Sequence, residues 1–255
     1  MLPPKSFLFV LFPLFLLWLY PSSIKAQKTL RIQRVFDSQA DSRTLPANSL
    51  IADKFPYRAI VKVIATFPDG SAYGSSGVLV SADVVFTSAH SVYAKDLGGK
   101  AIKVEIIPAY NGGNKPFGST FSSKIQIPDE YIKSKEISYD FAAIRTNSRI
   151  GDFSGWLGYG SPTTNFDEVL IIGYPNDDKY DGRTMIQSTS SAFLSNKNEL
   201  HYKANTSQGM SGSPIIIKIG NDFRVIGVHS TGGDPEEGEN FNFGVRFIDD
   251  FLRNL

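Results

Sequence analysis

The sequence predicts an all-β protein of two antiparallel β-barrels with a short C-terminal helix. Short runs of β-branched and aromatic residues alternate with turn signals along most of the 255 residues, as is typical of barrels and sandwiches. A sustained helical period appears only at the end, where Phe247, Ile248, Phe251 and Leu252 fall on one face. With 42% hydrophobic residues, the chain can bury the cores of two small barrels.

The first 26 residues have the layout of a secretory signal peptide. Lys5 gives a charged start, the stretch 7–20 is apolar, and the small residue Ala26 ends a candidate cleavage region. An apolar stretch of 14 residues falls short of the roughly 20 that a membrane-spanning helix needs. We therefore expect a protein that is secreted to the extracellular or periplasmic space, with no membrane contact after the signal is removed.

Cysteine content and charge exclude several kinds of site and partner. The chain has 0 cysteines, which removes disulfides, zinc thiolates and a cysteine nucleophile together. Its formal net charge is +1, and its basic residues form no stripe. Nucleic acid is therefore not expected as a partner.

The β-like segments follow one another in an order that places the polar residues of interest. A hairpin of Gly77–Val80 and Val84–Thr87 around the turn 81–83 sets His90 just past a strand. Further strands are predicted at 59–66, 169–173, 215–217, 224–228 and 243–247. The polar stretch 146–152 predicts the division into a first barrel, 44–148, and a second barrel, 149–255.

The stretch Thr206–Pro214 carries the strongest chemical signal. Ser211 lies two residues after Gly209 and directly before Gly212. A serine hydroxyl is a weak nucleophile, so it needs a base, an orienting acid and an oxyanion hole. His90, in Thr-Ser-Ala-His, is the candidate base, and Asp140, in Asp-Phe-Ala, is the candidate acid. Gly209 can turn its N–H, with that of Ser211, toward one point as an oxyanion hole.

Two other interpretations of Ser211 fit the sequence less well. An α/β-hydrolase needs Gly-x-Ser-x-Gly followed by the acid and the histidine, but Ser213 takes the second glycine position and His229 is the only later histidine. The segment 209–214 could also be a plain turn entering a strand. His90 and Asp140, which lie 121 and 71 residues upstream of Ser211, favour the catalytic interpretation.

These three segments resemble the trypsin/chymotrypsin clan of serine endopeptidases. The resemblance is strongest to its cysteine-free bacterial branch, the glutamyl endopeptidases and exfoliative toxins, and it covers residues 44–250. It implies that Ser211 is the nucleophile, His90 the base and Asp140 the orienting acid. It also implies that the triad assembles across the interface between the two barrels.

The resemblance also implies a specificity pocket. Asn205 stands where trypsin-like members carry an aspartate, so cleavage after Lys or Arg is disfavoured. Thr206 and His229 match the residues with which the glutamyl branch holds an acidic side chain, and Ser230 is assigned to the substrate site beside them. The hydroxyl of Thr206 and the imidazole of His229 can each donate to a carboxylate, which predicts cleavage after Glu, with Asp second. An acidic loop, 234–239, would oppose such a substrate if it faced the pocket.

The family's activation signals are only partly present. Met210 stands where trypsin-like zymogens carry an aspartate, so that switch is absent, whereas 43–48 resembles the start of mature glutamyl endopeptidases and implies a propeptide at 27–43. The resemblance thus implies a serine endopeptidase that acts on proteins or peptides without a metal or cofactor, and we expect it to be a monomer. Two alternatives stay open: a protease-fold adhesin or toxin with a closed or highly selective site, and a serine protease with a non-acidic pocket.

Overall fold

A computed structural model describes residues 45–46, 54–161, 165–195, 198–233 and 241–247. The predicted signal peptide, the predicted propeptide and the acidic loop lie outside these residues, and so does the predicted C-terminal helix except for its first residue, Phe247. Both main sheets belong to one unit of contacts that spans 39–255. No helix in the described ranges is both long and apolar enough to cross a membrane.

Strands are the main regular structure of the described part of the chain, as predicted. In chain order its strands are β1 (Leu45–Pro46), β2 (Ile60–Thr66), β3 (Ala72–Leu79), β4 (Val84–Thr87), β5 (Tyr93–Ala94), β6 (Gly99–Lys100), β7 (Lys103–Pro108), β8 (Thr120–Ser122), β9 (Lys124–Gln126), β10 (Ala142–Arg145), β11 (Gly158–Tyr159), β12 (Phe166–Gly173), β13 (Ile186–Leu194), β14 (Glu199–Tyr202), β15 (Pro214–Ile219), β16 (Asp222–Gly232) and β17 (Asn242–Arg246). Its α-helices are α1 (Asp129–Ser134) and α2 (Gly151–Ser154), and its 3-10 turns are Tyr57–Ala59, Lys95–Leu97 and Ile137–Tyr139.

Two sheets form the two barrels. The first has the strand order β8-β7-β2-β3-β4-β10-β9, with every neighbouring pair antiparallel. The second runs β1-β13-β12-β15-β16-β17-β14, and an additional pairing of β13 with β14 closes it. The short β11 adds to β16 in parallel. The closure of the second sheet removes free strand edges, which otherwise invite pairing with other chains.

The division between the barrels falls near the predicted polar stretch. The last strand of the first sheet, β10, ends at Arg145, and the next strand along the chain, β11, pairs in the second sheet. At the other end of the chain, β1 pairs with β13 of the second sheet, although its residues fall within the range predicted for the first barrel. The boundary at 148/149 itself stays a prediction.

Three apolar clusters hold this arrangement together. One fills the first barrel around Val61, Val63 and Ile106, and another fills the second barrel around Ile171 and Ile215. The third contains residues of both sheets. At its centre the rings of Phe86, Phe141 and Phe247 meet edge to face, with centroids 4.9–5.3 Å apart. The two barrels are therefore packed against each other through a shared core. Its rings meet in the edge-to-face geometry that aromatic pairs favour.

Candidate active site

His90 projects from the segment that follows β4. Ala89 is fully buried behind it, and the Thr87 hydroxyl donates to the Ser76 carbonyl (2.7 Å), which ties this segment to β3. The hydroxyls of Ser88 and Ser91 share a 2.6 Å hydrogen bond. The His90 side chain itself is 38% exposed. The backbone is thus fixed, while the imidazole is open to a ligand.

Asp140 follows the 3-10 turn 137–139, and the next residue, Phe141, anchors this segment in the shared core. Its side chain is nearly enclosed, and three donors satisfy it. The His90 N–H donates to Oδ1 (2.8 Å), Nδ1 of His90 contacts Oδ2 (2.6 Å), and the Ser230 hydroxyl donates to Oδ2 (2.5 Å). A buried carboxylate needs such partners, because desolvation penalises its charge.

The pair formed by His90 and Asp140 shifts both pKa values toward the charged forms. Burial raises the pKa of Asp140, but the charge of His90 and the hydrogen bonds from His90 and Ser230 outweigh it, so the pKa lies below 3.8. Burial lowers the pKa of His90, but the charge and hydrogen bond of Asp140 outweigh that effect and hold it above 6.5. With Nδ1–H directed at Asp140, Nε2 is left to accept a proton.

The loop that carries Ser211 is shaped by two glycines. Gly209 has φ +87°, and a Cβ there would lie 2.5 Å from the Tyr174 carbonyl oxygen. Gly212 has φ +78°, and a Cβ there would overlap the Thr87 hydroxyl and the Ser76 carbonyl. Both values of φ lie in the left-handed region that only glycine adopts readily. The loop can therefore approach β3 and the His90 segment only because these two positions lack side chains.

Hydrogen bonds then fix the loop in this place. Ser76 donates its N–H to the Ser211 carbonyl (2.9 Å) and its hydroxyl to the Gly209 carbonyl (2.8 Å). Gly212 donates its N–H to the His229 carbonyl (2.8 Å). Since His229 precedes Ser230, the partner of Asp140, these contacts bring the three predicted triad segments together. Ser76 was not predicted from the sequence, because nothing in its local motif marks it.

Two features concern the reacting atoms directly. No hydrogen bond joins Ser211 Oγ to His90 Nε2 among the contacts of the described residues; in ligand-free sites this bond is often long and tightens when the substrate binds. The N–H groups of Gly209 and Ser211 also donate to no acceptor within the described ranges. Both remain free to bind an oxyanion.

The predicted pocket residues lie in buried hydrogen bonds. Nδ1 of His229 contacts the Tyr202 hydroxyl at 2.6 Å, and both residues are almost fully buried. The Thr206 hydroxyl donates to Oδ1 of Asn242 (2.6 Å), whose Nδ2 donates to the Ala204 carbonyl (2.7 Å). Sequence reasoning missed Tyr202 and Asn242, which lie 27 and 36 residues from their partners and carry no motif.

His229 is neutral in this environment. Burial and the nearby charge of His90 lower its pKa to about 3, against smaller opposing effects from Asp140 and the Phe243 carbonyl. Ser230, which the sequence assigned to the substrate site, directs its hydroxyl at Asp140 instead. Its side chain therefore orients the acid of the triad, and a direct contact with substrate stays a prediction. Among the described residues no group of three or more His, Cys, Asp or Glu side chains is placed to hold a metal ion.

Comparison with known sequences identifies the family. The family model described as Trypsin matches residues 51–251. A Bacillus licheniformis protein named Glutamyl endopeptidase is 31% identical over 85% of this chain and 66% of its own length. A Bacillus subtilis protein named Extracellular metalloprotease is 30% identical over 79% of this chain and 63% of its own length. The chain thus spans slightly less than two thirds of these relatives.

Solved structures show the same fold. A structure titled Glu endopeptidase in complex with MPD has a TM-score of 0.71 at 24% identity and covers 84% of this chain and 94% of its own. The protease Anisep of Arthrobacter nicotinovorans has a TM-score of 0.65 at 21% identity, covering 76% of this chain and 91% of its own. Because the Trypsin model covers most of the sequence and the fold agrees, the chain belongs to the trypsin family, with the chymotrypsin fold, near its glutamyl endopeptidase branch.

Proposed function

We propose that this protein is an exported serine endopeptidase that cleaves peptide bonds after Glu, with Asp second. One observation carries the proposal: the buried Asp140 carboxylate holds His90 by two hydrogen bonds and Ser230 by a third. An orienting acid, a base with a free Nε2 and a serine on a glycine-shaped loop are the parts that nucleophilic acyl transfer needs. Membership of the trypsin family supports the same chemistry.

The reaction then follows from the placement of these groups. Ser211 Oγ attacks the peptide carbonyl carbon while His90 Nε2 takes the hydroxyl proton. The oxyanion is held by the N–H groups of Gly209 and Ser211. His90 returns the proton to the leaving amine as the C–N bond breaks, which leaves an ester on Ser211. A water that gives its proton to His90 hydrolyses the ester and restores the serine. Asp140 stabilises the charged imidazole throughout.

The pocket supports a preference for an acidic side chain. Neutral His229 keeps one ring N–H, and when the Tyr202 hydroxyl donates to Nδ1 that N–H is at Nε2. Thr206 supplies a second donor once its hydroxyl turns from Asn242 to a ligand. Hydrogen bonds to a carboxylate are about twice as strong as those between neutral groups, so Glu gains more in this pocket than Gln. The glutamyl endopeptidases among the relatives support this choice.

Export and assembly complete the proposal. The first 26 residues support secretion through a signal peptide, with a propeptide at 27–43. The substrate is a protein or peptide, and the mature enzyme works as a monomer without nucleic acid or membrane. The acidic loop 234–239 lies outside the described residues, and its effect on acidic substrates is a matter for the cleavage assay.

Covalent labelling with a fluorophosphonate tests the central claim. We expect labelling and turnover in the wild type and neither in Ser211→Ala, because the variant lacks the nucleophilic oxygen while keeping the fold. Ser213→Ala is the matched control: Ser213 lies two residues away, is fully buried, and its hydroxyl has no partner in the described structure. Labelling of Ser211→Ala would refute the assignment.

Cleavage of a peptide library measures which side chain the pocket prefers. Cleavage after Gln, Ala or aromatic residues would refute the Glu preference.

The same labelling distinguishes the peptidase from a second candidate function, a protease-fold binding protein or toxin with a closed site. The missing hydrogen bond between Ser211 and His90 is the observation that favours it. A folded wild-type protein that resists fluorophosphonate and cleaves no library peptide would establish the closed site. Ready labelling excludes it.

A further inference from the structure

Lys62, in the middle of β2, is an unusual residue for its position. It is only 6% exposed, whereas lysine is almost never fully buried unless it is paired. Within the described residues its Nζ makes no hydrogen bond and no ion pair. The charge of Asp181 acts on it from further away: burial lowers the pKa of Lys62 to about 8, and Asp181 opposes this shift. The amine is therefore still mostly protonated at neutral pH.

The surroundings of Nζ leave space for a partner. The amine lies 5.7 Å from the ring centroid of Tyr174. A Cβ at Gly74 would come within 2.7 Å of Nζ, and one at Gly182 within 3.2 Å, so the absence of these two side chains makes room for the ammonium. Nζ is not among the enclosed polar atoms that lack a partner in the described structure. Its tip therefore keeps contact with solvent, through which a ligand can reach it.

Lys62 faces the cleft between the barrels. Because side chains alternate along a strand, Lys62 shares its face of β2 with Ile60, which packs in the core common to both barrels, whereas Val61 and Val63 point into the first barrel. An ammonium on this face lies at the junction where the triad also assembles.

The residues around Nζ are also the ones that hold the nucleophile loop. Gly74 lies two positions before Ser76, which bonds Ser211, and a strand advances about 7 Å over two residues. On the other side, the Tyr174 carbonyl abuts Gly209, and the Asn176 N–H donates to the Gln208 carbonyl (2.6 Å). An extended substrate peptide also covers about 7 Å in two or three residues.

We propose that Lys62 forms a second acid-binding subsite, which takes the carboxylate of a substrate side chain two or three residues from the scissile bond. The proposal rests on the proposed peptidase function. An amine that is already largely desolvated and unpaired gains more from a carboxylate than an exposed one does, since most of the desolvation cost was met on folding. The enzyme would then select peptides with two acidic residues, one in the His229 pocket and one at Lys62.

A substrate series tests the subsite through selectivity. Peptides keep Glu at the cleaved bond and carry Glu or Gln at each of three positions on either side. We expect wild type to prefer Glu at one of these positions, by about three- to tenfold in kcat/KM for a partly buried ion pair. Lys62→Met should abolish that preference, so that the ratio of kcat/KM between the Glu and the Gln peptide falls to about one, whatever the rate on the Gln peptide. Lys103→Met is the matched control, because Lys103 is an exposed lysine on the neighbouring β7, over the Phe121 ring, and should keep the preference.

The outcomes separate this inference from the function on which it rests. Absence of labelling and cleavage in wild type refutes the peptidase function. Cleavage with equal kcat/KM for the Glu and Gln peptides, or a preference that survives in Lys62→Met, refutes the subsite alone.

A binding measurement covers the case in which Lys62→Met fails to fold. In Ser211→Ala with ¹³C-methylated lysines, we expect the signal of Lys62 to titrate near pH 8, because burial lowers its pKa below that of an ordinary lysine. Addition of the preferred uncleaved Glu peptide should raise that titration midpoint, whereas the Gln peptide should not. An unmoved Lys62 signal at saturating Glu peptide overturns the proposal.

Discussion

At the scale of single residues, the acid–base state of the site is set before any substrate arrives. Asp140 is ionised and hydrogen-bonded, His90 is biased toward its charged form, and His229 is held neutral. Two histidines in one site thus have pKa values moved in opposite directions. The causes differ: His90 bonds the Asp140 carboxylate directly, which raises its pKa, whereas burial and the charge of His90 lower the pKa of His229.

The pH dependence of kcat/KM follows from His90. Only the neutral imidazole accepts the Ser211 proton, and Asp140 holds the pKa of His90 above 6.5. We therefore expect kcat/KM to rise with pH through one ionisation whose midpoint lies above 6.5. His229, with its pKa lowered to about 3, stays neutral over the same range and adds no opposing limb. A profile from about pH 5 to pH 9 measures this on a peptide with Glu at the cleaved bond and Gln at the flanking positions, and a flat profile would remove His90 from the mechanism.

Removal of the Tyr202 hydroxyl should weaken the preference for Glu. In Tyr202→Phe, His229 loses the hydrogen bond that orients its ring. The value of kcat/KM should therefore fall about three- to tenfold on peptides with Glu at the cleaved bond, as for one net hydrogen bond, and little on peptides with Gln at that position. His229→Ala should cost about ten- to a hundredfold on Glu peptides, since a charge-assisted bond is lost. Tyr73→Phe, at an exposed tyrosine, is the control. Equal losses on Glu and Gln would show that Tyr202 supports only the fold.

The sequence allows the triad residues to be predicted because each stands in a short local motif. The partners of these residues are harder to predict. Ser230 meets Asp140 from 90 residues away, and Asn242 meets Thr206 from 36 residues away. Such contacts depend on which strands become neighbours, and a serine or asparagine looks the same in sequence whether it bonds a carboxylate or water.

At the scale of elements, strands with apolar runs were predicted well and polar ones poorly. The predicted strand Val84–Thr87 coincides with β4, and the other predicted runs fall within or overlap the observed strands. By contrast, β13 was not singled out. Its buried positions include Ser188 and Ser190, so burial alternates along it while hydrophobicity does not. Small polar residues inside a barrel hide the two-residue period on which strand prediction depends.

At the scale of the whole molecule, the barrels and the triad share one core. Phe141 follows Asp140 directly and packs on Phe86 of the first barrel and Phe247 of the second. The side chain that carries the acid and the side chain that joins the barrels are thus neighbours in the chain. Stability and catalysis should respond together to changes at this point.

Truncation of Phe141 tests that coupling. Phe141→Ala should lower the free energy of unfolding by about 3–5 kcal/mol, as expected for a buried phenylalanine, and should reduce kcat because Asp140 loses its support. Phe153→Ala, at a side chain that is 73% exposed, should change neither by much. Urea unfolding and kcat of the two variants provide the measurement. Full kcat in a destabilised Phe141→Ala protein would show that the core and the acid are independent.

The hydrogen bonds of Asp140 join the two barrels, because His90 belongs to the first and Ser230 to the second. This link determines when the chain becomes active. The ribosome delivers His90 and Asp140 first, and Ser230, the third partner of that carboxylate, follows only 90 residues later. Until the second barrel has packed against the first, Ser211 is not placed beside His90, and Asp140 lacks its third hydrogen bond. Proteolytic activity therefore requires that both barrels are folded and packed against each other.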